Sequence, residues 1–388
     1  MPSPNYYANN RSEKPRRTKE HSSSLLGPSL HRSSQGMEES RIKSALGGDD
    51  PATVAEDEGP VAVLDLTSRQ LYDLSSVELP PTLTELDLTA NRLTSIDPRI
   101  GQLSNLKKLS LRQNLIDDAA AVVVSRWDAL AGLEELVLRD NKLTKLPDAR
   151  TFKRLLVFDV SFNDIPSLSG LSKVSSTLKE LYVSKNGVPK MEEIDHFTDL
   201  QILELGSNRL RVMENLQNLV KLQELWLGTN RIKAVNLCGL KCIKKISLQS
   251  NRLTSMAGFE GCIALEELYL SHNGIAKMEG LSTLVNLRVL DLSSNKLKSI
   301  DDIQNLTRLE DLWLNDNQIE SLETIAEAVA GSREKLTTLY LDNNPCAKSP
   351  NYFTTLKQIF PNSQQIDSKN LLSAPQFFVD AAASHKEK

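Results

Sequence analysis

This chain has no excess of one charge. Its 388 residues carry 46 lysines and arginines against 50 aspartates and glutamates, a formal net charge of −4. No global electrostatic pull therefore draws it to nucleic acid or to an anionic bilayer. No apolar run approaches the roughly 18 residues that span a membrane. The opening MPSPNYYANNRSEKPRR lacks the apolar stretch of a signal peptide, which favours an intracellular protein. Cysteine is scarce. Cys238, Cys242, Cys262 and Cys346 form no CxxC pair and stand at no metal-ligand spacing with histidine, so they are expected to be reduced thiols and not a metal site. Histidine is also sparse: His21, His31, His196, His272 and His385. Nothing places a nucleophile beside a base, and there is no glycine-rich phosphate loop. No enzyme, cofactor or metal is expected.

Aliphatic residues are thin in 1–58, which is rich in Ser, Pro, Gly, Asn and charge. Such a segment cannot bury enough apolar surface to offset its ordering entropy and is expected to be disordered. Its cluster KPRRTK (Lys14–Lys19) has the composition of a nuclear-import or anion-binding patch, although a solvated charge cluster is the simpler reading. Residues 371–388 are expected to be a flexible tail.

What the chain does have is a repeat. The pattern LxLxxN recurs with its asparagine at Asn91, Asn114, Asn141, Asn163, Asn186, Asn208, Asn230, Asn251, Asn273, Asn295, Asn317 and Asn344. A degenerate copy, LDLTSR (Leu64–Arg69), precedes them. The spacing is that of a short leucine-rich repeat. The expected fold class is therefore α/β: a curved leucine-rich-repeat solenoid over 59–344, with a parallel inner sheet and short helices or 3-10 turns on the convex side. Each copy supplies one strand, and its leucines enter a core that no single repeat could bury alone. The asparagines are expected to pair turn backbones. A dozen strands imply an inner arc on the order of 50–60 Å, long enough to lie along another folded protein.

Two wider spacings hold the inserts Asp117–Leu133 and Ser321–Leu336, whose apolar periodicity predicts short convex helices. Trp127 in the first insert is expected to pack on the core, and Cys262 stands where the repeat expects leucine. In 345–370, Tyr352, Leu356, Ile359 and Phe360 at helical spacing, followed by Pro361, predict a capping helix.

The face of the sheet can be read as columns. Between the two leucines of each copy stand Asp87, Ser110, Val137, Asp159, Tyr182, Glu204, Trp226, Ser247, Tyr269, Asp291, Trp313 and Tyr340. Five of these twelve are aromatic and four acidic, against 5% aromatic in the whole chain. One residue earlier the column is acidic at six positions, Asp311 among them, and basic at two. One residue later, small side chains such as Ser184, Gly206, Gly228 and Ser271 are expected to leave Tyr182, Trp226 and Tyr269 raised and reachable. Large aromatics flanked by carboxylates have the composition of a protein-binding hot spot. The aromatics alternate with Glu204, Ser247 and Asp291, which speaks against a plain packing ladder. The acidic excess disfavours nucleic acid, whose phosphates need Lys or Arg, and favours a partner with a basic patch.

The stretches LELGSNRLRVMENLQNLVKLQELWLGTNRI (Leu203–Ile232), LYLSHNGIAKMEGLSTLVNLRVLDLSSNKLKSID (Leu268–Asp301) and LWLNDNQIES (Leu312–Ser321) resemble the leucine-rich-repeat regulatory subunits of protein phosphatase 1. The element NPCAKSPNYFTTLKQIFPNSQQID (Asn344–Asp367) resembles the cap of that family. The resemblance covers roughly 60–370. It implies that a concave face grips the catalytic subunit of a type-one phosphatase through Asp159, Tyr182, Glu204, Trp226, Asp291, Asp311, Trp313 and Tyr340. The column itself adds Tyr269. Tyr182 and Trp226 look like replacements for phenylalanine, and Asp311 for glutamate. A basic residue followed by Val-x-Phe, the common short phosphatase-docking motif, is absent, so docking would depend on the concave face. The resemblance further implies a non-catalytic modulator of phosphatase activity, maturation or targeting, including in cell division. It implies residence in nucleus and cytoplasm, and leaves room for a further phosphatase inhibitor in a ternary complex. The alternative is a repeat scaffold for another intracellular partner, such as a splicing or cytoskeletal assembly. A cell-surface ectodomain is disfavoured by the missing signal peptide and paired cap cysteines.

Overall fold

The structure, a computed structural model, describes residues 62–371. The segment 1–58, the Lys14–Lys19 cluster and residues 372–388 lie outside the described residues.

Each LxLxxN copy folds as expected. The residue before the first leucine, that leucine and the residue after it form a three-residue strand. The strands are β1 (Val63–Asp65), β2 (Glu85–Asp87), β3 (Lys108–Ser110), β4 (Glu135–Val137), β5 (Val157–Asp159), β6 (Glu180–Tyr182) and β7 (Ile202–Glu204). They continue as β8 (Glu224–Trp226), β9 (Lys245–Ser247), β10 (Glu267–Tyr269), β11 (Val289–Asp291), β12 (Asp311–Trp313) and β13 (Thr338–Tyr340). Two further pairs, β14 (Gln365–Ile366) and β15 (Lys369–Asn370), complete one sheet whose strand order is the chain order. Pairing is parallel up to β14 and antiparallel between β14 and β15. The central residue of every strand from β2 to β13 is buried, so the two residues flanking it share the opposite, open face.

The asparagines satisfy the turns, as their recurrence requires. Asn230 Nδ2 donates to Leu227 O of its own repeat and to Leu205 O of the preceding one, both at 3.0 Å. Its Oδ1 accepts from Leu210 N, also at 3.0 Å. The same three contacts recur at Asn208, Asn295 and Asn317. The residue ahead of each asparagine is left-handed even without glycine, for example Phe162 at φ 55° and Thr229 at φ 57°. That conformation is costly for a bulky side chain, and the network of turn bonds over-determines it.

The inserts are less helical than their periodicity suggests. The first gives α1 (Asp118–Ala121) followed by 3-10 turns at Val122–Arg126 and Asp128–Leu130. The second gives α2 (Ile325–Ala328). Four-residue helices are below the length at which helix formation sustains itself, so packing decides these segments. Trp127 is buried on the core with its ring 6.4 Å from that of Phe152. Cys262 is core as well, and burial pushes its thiol up to about 11. After β13 the chain forms α3 (Tyr352–Ile359), which buries Leu356 and Ile359 and ends at the buried Phe360. Tyr352 donates to Asp367 Oδ2 at 2.9 Å.

Candidate protein-binding face

Register brings the column residues together. Asp159 pairs with Tyr182, Tyr182 with Glu204 and Glu204 with Trp226. Trp226 and Tyr269 both pair with Ser247, Tyr269 and Trp313 both pair with Asp291, and Trp313 pairs with Tyr340. Eight of the nine expected contact residues thus form one unbroken line from β5 to β13. Asp311 stands in the neighbouring column, on the same strand as Trp313.

The aromatics do not alternate with their neighbours in space, contrary to the sequence-based expectation. Trp226 and Tyr269 are two strands apart, about 9.6 Å at ordinary strand spacing, yet their ring centroids are 6.4 Å apart and stacked at 23°. The rings lean toward each other over Ser247, which is buried. Tyr269 and Trp313 close in the same way, at 6.3 Å, over Asp291, which is left 5% exposed. Trp313 then meets Tyr340 edge to face at 6.1 Å. The result is a continuous row, Trp226–Tyr269–Trp313–Tyr340. Its outer members are half-buried, whereas Tyr269 is 7% exposed and not raised.

Two rings of the row, Trp226 and Tyr269, and Tyr182 further along the column are clamped by the glutamate two residues earlier. Tyr182 Oη donates to Glu180 Oε2 at 2.7 Å, Trp226 Nε1 to Glu224 Oε2 at 3.1 Å and Tyr269 Oη to Glu267 Oε2 at 3.0 Å. Burial first, and the neighbouring glutamate second, push the phenols of Tyr182 and Tyr269 far above their ordinary range, so both remain neutral donors. Tyr340 is held instead by Gln365. At Trp313 the clamp fails. Asp311 is one methylene shorter than glutamate, and the buried Nε1 of Trp313 has no acceptor among the described residues.

The carboxylates divide into two kinds. Asp159 Oδ1 accepts from Ser161 N at 2.8 Å, and Asp291 Oδ1 accepts from Ser293 N at 3.0 Å and from Ser293 Oγ at 2.6 Å. These Asp-x-Ser turns keep both side chains inward, at 9% and 5% exposed. Burial raises the Asp159 carboxyl despite the Ser161 bonds and Arg139, whose Nη1 lies at 4.0 Å. Glu204, by contrast, is half-buried and has neither an ion pair nor a side-chain hydrogen bond among the described residues. The outer column is partly neutralised, because Lys245 Nζ sits 3.8 Å from Glu224 and 3.5 Å from Glu267.

Leucine-rich repeats are recognised at residues 81–126, and leucine-rich repeats in two copies at residues 285–327. An internalin from Listeria monocytogenes superposes with a TM-score of 0.69 at 22% identity, covering 80% of this chain and 87% of that one, which shows the fold. A protein of Arabidopsis thaliana, named protein phosphatase 1 regulatory inhibitor subunit PPP1R7 homolog, is 76% identical over 306 residues. That match spans 79% of this chain and 93% of the relative. The chain belongs to the leucine-rich-repeat regulatory subunits of protein phosphatase 1. A phosphatase 1 regulatory subunit of Dictyostelium discoideum is similar over a shorter stretch, 45% identical over 64 residues, which is 16% of this chain and 19% of that protein.

Both relatives are named as regulatory subunits, and the fold is a leucine-rich-repeat scaffold. On this family member's face, sequence reasoning passed over Phe162. It is 38% exposed, beside the line, with the Arg139 guanidinium 4.3 Å and the Lys185 ammonium 5.8 Å from its ring centroid. Phenylalanine at an obligatorily left-handed turn position was the available signal.

Proposed function

We propose that the chain is a non-catalytic regulatory subunit that binds the catalytic subunit of a type-one Ser/Thr protein phosphatase through the open face of its sheet, from β5 to β13. The observation that carries this reading is the continuous aromatic row, flanked by the carboxylates of Glu204 and Asp311, which have no hydrogen-bond or ion-pair partner among the described residues. Aromatic rows of this kind supply large buried area at little entropic cost. A partner with a basic patch would steer to the free carboxylates and exclude water from the rings. Trp313, whose N–H lacks an acceptor in the free chain, gains one if the partner offers a carbonyl or carboxylate there, relieving an unpaired buried donor.

The test is co-elution of the chain with purified type-one catalytic subunit on size exclusion, with parent and Glu204→Lys compared. The parent is expected to co-elute and the charge reversal to separate. Co-elution of both would remove the face from the account, and separate elution of the parent would remove the partner.

A further inference from the structure

On the flank that follows the asparagines, three consecutive repeats present cations. Asn208 is followed by Arg209-Leu-Arg211, Asn230 by Arg231-Ile-Lys233 and Asn251 by Arg252-Leu-Thr254. Leu210, Ile232 and Leu253 are fully buried, so the residues on either side of each turn outward. Arg209, Arg211, Lys233 and Arg252 are exposed, and Arg231 is half-buried. A backbone ladder sets their register. Arg231 N donates to Leu210 O at 2.8 Å, and Arg252 N to Ile232 O at 2.9 Å. Leu210 lies between Arg209 and Arg211, and Ile232 between Arg231 and Lys233. The cations therefore stack rung on rung, about 5 Å per repeat.

Among the described residues none of these five cations has an ion-pair partner. The turn does not require them, because Leu115, Asp164, Gly187, Gly274 and Gln318 follow other asparagines. Stacked like charges repel one another, and among the described residues no ion pair offsets that repulsion. It also stands out in a chain whose net charge is −4.

We propose that this flank, formed by the turns after β7, β8 and β9, docks a short acidic segment of a partner protein, rich in aspartate and glutamate or phosphorylated. Shortness follows from charge. A duplex or a bilayer extends past three repeats and meets the repulsion of the acidic columns and of the net charge, whereas a short peptide stays on the flank, within about a Debye length of its cations. The guanidinium groups of Arg209, Arg231 and Arg252 form one row, with Arg211 and the Lys233 ammonium beside it, and guanidinium groups offer paired donors to carboxylate or phosphate oxygens. This surface is separate from the aromatic row and does not depend on phosphatase binding.

The test is fluorescence polarisation of the full chain with two labelled peptides, one of alternating glutamate and glycine and one with phosphoserine at the glutamate positions. The flank variant Arg209→Glu/Arg231→Glu/Arg252→Glu is compared with Lys241→Glu/Arg308→Glu/Lys348→Glu, which changes net charge equally at exposed sites elsewhere. Circular dichroism shows that both fold. The parent is expected to bind at least one peptide, the flank variant to lose at least about tenfold in affinity, and the control variant to stay within about twofold. The tighter peptide identifies the source of the anion. Equal loss in both variants, tighter binding of single-stranded RNA or phosphatidylserine vesicles, or no peptide binding by the parent overturns the proposal.

Discussion

Glu224 and Trp226, two residues apart on β8, are joined by a hydrogen bond from the indole Nε1 to Oε2 at 3.1 Å. Their counterparts four strands on, Asp311 and Trp313, are not joined, and the Trp313 Nε1 is buried without an acceptor among the described residues. The difference is one methylene. A glutamate in this column reaches the polar tip of the ring beside it; an aspartate does not.

Lengthening that side chain should close the gap. Asp311→Glu is expected to stabilise the free chain by about 1 kcal/mol, the scale of a buried donor gaining its partner. Urea unfolding checks it. An unchanged or lower midpoint would show that the missing methylene does not account for the unpaired indole.

The asparagine ladder makes a larger demand. Asn230→Ala strips the acceptor from Leu210 N, inside the turn stack, whereas Leu205 O keeps its bond from Asn208 Nδ2 at 3.0 Å. One buried backbone donor left unpaired should cost roughly 1–3 kcal/mol. The same urea experiment reads it, and a cost below about 1 kcal/mol would mean that the turns are held by other contacts.

Much of this was legible in the amino-acid order. The asparagine recurrence fixes repeat length, strand position and the burial of each leucine, because one physical requirement, a shared core with paired turns, acts at every copy. The membership of the face column follows from strand alternation alone. Its internal geometry does not. That Trp226 leans over Ser247 toward Tyr269 depends on which neighbours are small enough to be covered. That Asp159 and Asp291 turn inward goes with a local bond from the backbone N–H two residues later, Ser161 N and Ser293 N, joined at Asp291 by the Ser293 hydroxyl. Both effects are visible in the sequence only when residues two apart are read together across adjacent repeats. The short helices of the inserts are legible from their apolar spacing, but their four-residue length and the 3-10 turns after α1 are set by packing.

Asp159 supplies a pH dependence of known sign. Burial holds its carboxyl above the ordinary value of 3.8. A raised carboxyl contributes stability that is full below that ordinary value and is lost as pH rises through the raised one. The stability of the parent minus that of Asp159→Asn should therefore grow in the parent's favour as pH falls from neutral to below 4. Unfolding titrations across that range check it, and a difference that shrinks on acidification would contradict the burial.

The four thiols should separate into two classes. Cys238 and Cys242 are exposed, whereas Cys262 and Cys346 are buried and their thiols pushed up to about 11. Only the thiolate reacts readily. At neutral pH a thiol reagent should label Cys238 and Cys242 promptly, and Cys262 and Cys346 only on denaturation, as peptide mass analysis would show. Prompt labelling of Cys262 would contradict its place in the core.

The central claim, that the aromatic row is the phosphatase-binding surface, is tested most directly by calorimetric titration of the chain with type-one catalytic subunit. The Trp226→Ala/Trp313→Ala double variant runs alongside, and its fold is verified by circular dichroism. The account predicts tight binding by the parent and a loss of at least about 2 kcal/mol in the variant. Equal affinity in parent and variant would contradict it.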